Sequence, residues 1–253
     1  TFPVAHTGVK GRKGSGQISY VSLSIPPAAL DFWRERLTTH GFKVTDTERF
    51  GERYLDFQHP CGVDYSLVAV ADDARKPHSK GPVPAELMIR GTHSICVSTR
   101  DAEPMEEFMQ LGWGGTRVAE DRNLLRYQLG KGGSGTIIDF EVEPSRKAGT
   151  WIVGEGTVHH MAFQVGSHAE QDQLKLHLEA MGYTDVSDVK NRGYFDSIYV
   201  RTPSGAMFEA TVTHDDGFTC DEPRDKLGLE VMLAPQLKMS REEMLSQLGY
   251  LKD

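Results

Sequence analysis

The sequence predicts an α+β fold made of repeated βαβββ units, three in this chain, that form cup-shaped mixed sheets with helices outside. Two observations predict it. Comparison of the chain with itself finds one unit beginning near residues 18, 92 and 158, a period of about 65 to 75 residues, and such a repeat governs the architecture. Each copy opens with a strand pattern, passes into helical spacing and ends in a strand entered through a glycine turn. At 253 residues and 38% apolar content, the chain can bury a sizeable core.

Residues 1–17 read as a linker, and the basic stretch Lys10-Gly11-Arg12-Lys13-Gly14 reads as a solvated part of it. The first unit, 18–80, opens with the strand Ile18 to Ile25. After Pro26-Pro27, apolar residues at 29, 30, 33 and 37 follow a helical period, and Gly41 is placed to stop the helix. Strands are expected near 43–46, 53–58 and 63–70, the last entered through Pro60-Cys61-Gly62. A linker, 81–91, leads to the second unit, 92–145, with a strand Thr92 to Thr99, a helix from Pro104 to Leu111 and a last strand through Thr136 to Val142. The run Gly130 to Gly135 ends in a strand rather than a helix, so it reads as a hairpin turn and not as a phosphate loop. The third unit, 158–213, has a strand Val158 to Val165, an amphipathic helix from Ala169 to Met181 closed by Gly182, and a last strand reaching Glu209; residues 214–253 form a tail.

Composition excludes several function classes. A net charge of −8 argues against nucleic acid or an anionic membrane as partner, since both require a basic face. No apolar run approaches the ~18 residues of a membrane span, and the start of the chain lacks the features of a signal peptide. Cys61, Cys96 and Cys220 are widely spaced and form no metal or disulfide pattern, which fits a reducing cytoplasm.

Candidate chemistry lies at the unit ends. Counting four residues on from the last-turn glycine gives Ser66, Asp139 and Glu209 in the three copies, while the opening strands offer Tyr20, His93 and His160. The third copy combines His and Glu, 49 residues apart. Two imidazoles and one carboxylate with open positions form the facial triad of non-haem Fe(II) oxygenases. His160 and Glu209 supply two of these three ligands, and strand alternation turns each away from its neighbours Phe163 and Phe208.

Repeated βαβββ units with His on the first strand and Glu on the last resemble the vicinal oxygen chelate superfamily of glyoxalases, bleomycin-resistance proteins and extradiol dioxygenases. The third copy is similar to the hydroquinone-type ring-cleaving dioxygenases through Gly156-Thr157-Val158-His159-His160, Asn191-Arg192-Gly193-Tyr194-Phe195-Asp196-Ser197-Ile198-Tyr199 and the stretch Pro203 to Glu209. The tail Asp216 to Pro223 with Leu227-Gly228, and the stretches Gly11 to Gly14 and Gly81 to Gly91, extend the resemblance over nearly the whole chain. It implies an enzyme that opens a hydroquinone-like or catechol-like diol with O2, using Fe(II), or alternatively Mn(II), on His160 and Glu209. It also implies catalytic roles for Tyr199, as hydrogen-bond and acid/base partner, for His159 near the substrate, and for Arg192 in orienting an anion.

The resemblance further implies four units, so a first unit is expected to be absent, with residues 1–10 as its end. The second His ligand then comes from that complementary N-terminal unit or from a homo-oligomer. In the alternative pairing, the last two copies join and His93 completes the triad. Two other readings are a glyoxalase-like isomerase or lyase, with Asp139 as the candidate second carboxylate, and a small-molecule binding protein.

Overall fold

Alternation of apolar and polar residues makes Ile18–Ile25 (β1) a two-faced strand. Leu23 and Ile25 point to one face, while Tyr20, Ser22 and Ser24 belong to the other. The computed structural model describes residues 9–77, 81–150, 153–234 and 241–247. The linker residues 1–8, with His6, as well as His78, Trp151 and tail residues 235–240 and 248–253, lie outside the described residues.

The order strand, helix, three strands occurs three times. The first repeat is β1, α1 (Leu30–Thr39), β2 (Thr45–Arg49), β3 (Glu52–Gln58) and β4 (Asp64–Ala69). Helix α1 is entered through a short 3-10 turn at Pro27–Ala29, whose proline suits a first helical turn, and ends at Gly41 with φ +82°. Ile25, Leu30, Leu37, Leu55 and Leu67 then form a core between the helix and the sheet, all at most 7% exposed. The strand expected near 43–46 starts at Thr45, because Phe42 and Val44 pack against this core before pairing begins. β2 and β3 join through Phe50-Gly51, both with positive φ, as a tight hairpin requires.

The second repeat comprises β5 (Gly91–Thr99), α2 (Glu103–Glu107), β6 (Thr116–Asp121), β7 (Leu124–Gln128) and β8 (Ile137–Val142). The helix expected to run to Leu111 is α-helical only to Glu107 and continues as a π turn over Phe108–Gly112, where Phe108 and Met109 are fully buried. The glycine-rich run joins β7 to β8 as a turn.

These two repeats share one eight-stranded sheet of order β2-β3-β4-β1-β5-β8-β7-β6. β1 runs parallel to β4 and antiparallel to β5, and β5 runs parallel to β8. The opening strands of the two repeats are therefore the joint between them. This sheet lies in the larger of two bodies, Lys10–His159 with Thr202–Ala206.

The smaller body is built on His160–Arg201 and the chain from Met207 onward. Its sheet, β10-β11-β12-β9, comprises β9 (His160–Gln164), β10 (Lys190–Asn191), β11 (Phe195–Arg201) and β12 (Met207–Thr213). β9 is shorter than expected because Val158 forms an isolated bridge with Ile18 instead of extending it. Ser167 caps the helix α3 (His168–Ala180) by accepting from the Glu170 N–H. In the tail, Tyr194 donates to Asp221 at 2.9 Å and packs in a tilted pair with Phe218 at 4.9 Å between ring centres, ahead of the helix α4 (Arg241–Gln247). No helix among the described residues is long and apolar enough to cross a membrane.

Leu67 is 1% exposed in the first core. Leu67→Ala is expected to lower unfolding free energy by about 2–5 kcal/mol, measured from the urea midpoint at unchanged slope.

Candidate active site

The parallel register of β9 and β12 sets His160 opposite Met207 and Ala162 opposite Glu209. His160 and Glu209 thus share a face two positions apart, while Phe163 and Phe208 meet on the other face with ring centroids at 5.1 Å. His160 Nε2 lies 2.7 Å from Glu209 Oε2, and the Glu209 side chain is 2% exposed.

A line of polar contacts extends from this pair. Tyr199, directly opposite Glu209 in the antiparallel β11–β12 register, donates its hydroxyl to Glu209 Oε1 at 2.8 Å. Arg192 donates Nε–H to Tyr199 Oη at 3.1 Å, with its guanidinium 5.2 Å from the ring centre. The His160 ring stands perpendicular to that of Tyr199 at 5.9 Å. Burial alone raises the Glu209 pKa, but hydrogen bonds from His160, Ser197 and Tyr199 outweigh it and hold the carboxyl below its usual range. Burial and then the Glu209 charge raise the Tyr199 hydroxyl, so it keeps its proton at neutral pH. His159 directly precedes β9, is half-buried and stands where the two bodies meet in sequence.

The donor set fits a divalent cation in part. A buried carboxylate and an imidazole nitrogen converge, both hard-to-borderline ligands that suit Fe(II) or Mn(II). Among the described residues no group of three His, Cys, Asp or Glu side chains is placed to hold a metal.

His93 and Asp139 have different surroundings. Both opening-strand edges of β5 are taken, by β1 and β8, so the second repeat pairs with the first and not with the third. This replaces the alternative in which the last two copies join through one sheet. His93 is 2% exposed, with Nδ1 2.8 Å from Ser134 Oγ and Nε2 3.2 Å from Glu52 Oε1. Both oxygens of Asp139 are occupied by Arg126, at 2.8 and 3.0 Å, and Arg126 also reaches Glu52 and, at 3.0 Å, the Tyr54 hydroxyl. A guanidinium therefore neutralises the position that corresponds to Glu209. Arg126 pairs with Asp139 just as Tyr199 pairs with Glu209. That role escapes sequence reading because the glycine-rich turn separates these two by 13 positions instead of 10.

Known proteins place this geometry in context. The chain is 44% identical over 252 residues to the chlorohydroquinone/hydroquinone 1,2-dioxygenase of Sphingobium indicum, an alignment covering 98% of this chain and 78% of that protein. MhqO of Bacillus subtilis, assigned as a ring-cleaving dioxygenase, is 28% identical over 235 residues, covering 93% of this chain and 73% of its own. A crystal structure of a Bacillus subtilis protein assigned as a dioxygenase superposes with a TM-score of 0.85 at 28% identity, over 95% of this chain and 76% of that one. No protein-family model matches the chain.

Two outcomes test the contacts. Because its folded pKa is depressed, Glu209 contributes stability that is present above the ordinary carboxylate range and lost as pH falls through the folded value. Tyr199→Phe is expected to raise the Glu209 pKa, read by carbon NMR titration of its carboxyl, and to cost about 1 kcal/mol of stability near neutral pH. Arg126→Met is expected to cost about 3–5 kcal/mol, because it leaves Asp139 buried without its counter-charge; chemical denaturation measures it.

Proposed function

Given that the chain belongs to the ring-cleaving dioxygenases of the vicinal oxygen chelate superfamily, we propose that it opens a hydroquinone-like or catechol-like aromatic diol with O2 by extradiol-type cleavage at a ferrous centre. The observation that carries this reading is the pairing of His160 with a buried Glu209 backed by Tyr199 and Arg192. His160 and Glu209 would hold Fe(II), with Mn(II) as the alternative. When bound, the metal supplies the path by which electron density from the diol reaches O2.

The chain's own groups hold the ligands and move protons. Glu209 stays ionised because His160, Ser197 and Tyr199 hydrogen-bond its charged form. The Tyr199 hydroxyl, kept protonated beside that carboxylate, holds a proton next to the ligand pair and exchanges it with a substrate oxygen. Arg192 fixes the Tyr199 ring and hydroxyl and presents a positive charge that orients an anionic oxygen. His159 is the residue that the family resemblance sets near the substrate.

The third ligand would be an imidazole brought by a complementary βαβββ unit, from an N-terminal segment or a second copy of the chain, with its opening strand along β9. One feature supports this: the opening strands β1 and β5 pair with each other in just this way.

Oxygen uptake with a substituted hydroquinone, by iron-loaded protein supplied with its complementary unit, is expected to be abolished by His160→Ala and by Glu209→Ala. Activity retained in both variants overturns the proposal. Reconstitution with iron or manganese in parallel decides the metal, and catechol beside hydroquinone decides the diol.

A further inference from the structure

Two stretches far apart in the sequence, Gly11 to Gly14 and Gly154 to Thr157, meet in one place. The chain before β1 lies along the chain before β9, and the two are bonded backbone to backbone. Gly11 N–H donates to the Glu155 carbonyl at 2.9 Å and Thr150 N–H to the Arg12 carbonyl at 2.8 Å. Ser15 N–H donates to the Lys147 carbonyl and Gly149 N–H to the Ser15 carbonyl, both at 2.9 Å. Glycine allows this closeness. A Cβ on Gly14 would stand 2.3 Å from the Lys147 carbonyl oxygen, and one on Gly154 would stand 2.5 Å from the Gly11 nitrogen. Neither atom can yield cheaply, because each takes part in one of these hydrogen bonds.

The crossing ends three residues ahead of His160. There Thr157 Oγ1 accepts from the Gly154 N–H at 3.1 Å and donates to the Gly154 carbonyl at 2.7 Å, which fixes the rotamer. Its Cγ2 then fills the space over Gly11, where a Cβ would lie 2.3 Å away. The Pro60-Cys61-Gly62 turn presses on the same peptide: Gly156 has φ +83°, and a Cβ on it would lie 3.1 Å from the Cys61 carbonyl oxygen. Val158 follows with its bridge to Ile18, then His159, and His160 opens β9. The histidine pair therefore leaves a closely packed seat. A metal-binding constellation needs its groups held within about 0.5 Å of their working places, so a shift of the seat is felt three residues on.

We infer that the contact of Gly11 with Thr157 is a positioning device for the histidine pair, setting the point from which the chain enters β9. The inference rests on the reading that His160 and Glu209 hold the cation. Gly11 and Thr157 are positioning residues that act through the backbone. The role also accounts for two stretches remote in sequence sharing one requirement, since a side chain gained in one displaces the other.

Combining Gly11→Ala with Thr157→Ser tests this, because the serine lacks the Cγ2 that the new methyl group meets and keeps the hydroxyl that bonds Gly154. Gly11→Ala alone is expected to move the amide resonances of Val158, His159 and His160 and to weaken Mn(II) binding about tenfold. Binding is read from the electron paramagnetic resonance of the free ion, in protein supplied with its complementary unit. Adding Thr157→Ser is expected to restore both readouts. Thr157→Val, a milder change that keeps the shape and removes the two bonds to Gly154, is expected to weaken binding about threefold. Urea denaturation selects conditions in which every variant is folded, so that lost folding does not imitate lost positioning. Binding that His160→Ala abolishes but Gly11→Ala and Thr157→Val leave unchanged overturns this inference and leaves the ligand reading standing. So does a loss in Gly11→Ala that Thr157→Ser fails to restore. Binding that survives His160→Ala overturns the ligand reading, and this inference with it.

Discussion

The parallel pairing of the first strand with the last in each repeat is the constraint on which this structure depends. In the third repeat it fixes which residue lies opposite which, and the period of two then decides that His160 and Glu209 share a face and that Phe163 and Phe208 share the other. One slip of register would exchange the two sets, burying polar groups against α3 and exposing the aromatic pair. The aromatic contact and the contact between His160 and Glu209 therefore stabilise the same register. In the first repeat the pairing of β1 with β4 does equivalent work, seating Leu67 and Ile25 under α1 and leaving Tyr20 and Ser66 on the opposite face.

Three copies of one backbone pattern give three electrostatic solutions at equivalent places. The third repeat sets an ionised carboxylate against an imidazole and a phenol. The second sets Asp139 against Arg126, a buried ion pair with further bonds from the guanidinium to Glu52 and Tyr54. Such a pair is held less for net stability than because loss of either partner strands the other in a dry interior. The first repeat moves the carboxylate to the third strand and uses a hydroxyl on the fourth.

Much of this was legible in the sequence, for identifiable reasons. The repeat, the alternation of Ile18 to Ile25, the helix stop at Gly41 and the place of Glu209 four residues past Gly205 follow from local periodicity and glycine placement, which act over a few residues, whereas the choice of His160 over His159 came from the strand register of the family the chain resembles. Which repeats join is not local. It depends on which strand edges meet, and periodicity carries no information about edges, so the pairing of β1 with β5 had to be seen. The contacts of Arg126 were hidden for a related reason: its partners Glu52 and Tyr54 come from another repeat, more than 70 residues away. The π turn over Phe108–Gly112 and the late start of β2 are decided by packing, which overrides helical and strand propensity at element ends.

Among the described residues β9 pairs on one side only, with β12. His160 is the first residue of that strand, so the nitrogen facing Glu209 is carried at the end of a sheet edge. On the proposed reading, in which His160 would hold the cation, edge pairing and cation binding are coupled equilibria. Any segment that completes the edge reduces the freedom of His160 and raises the affinity for the cation, and by reciprocity the cation raises the affinity for that segment by the same factor. Under that proposal metal content would be a measure of assembly, and assembly a determinant of metal content.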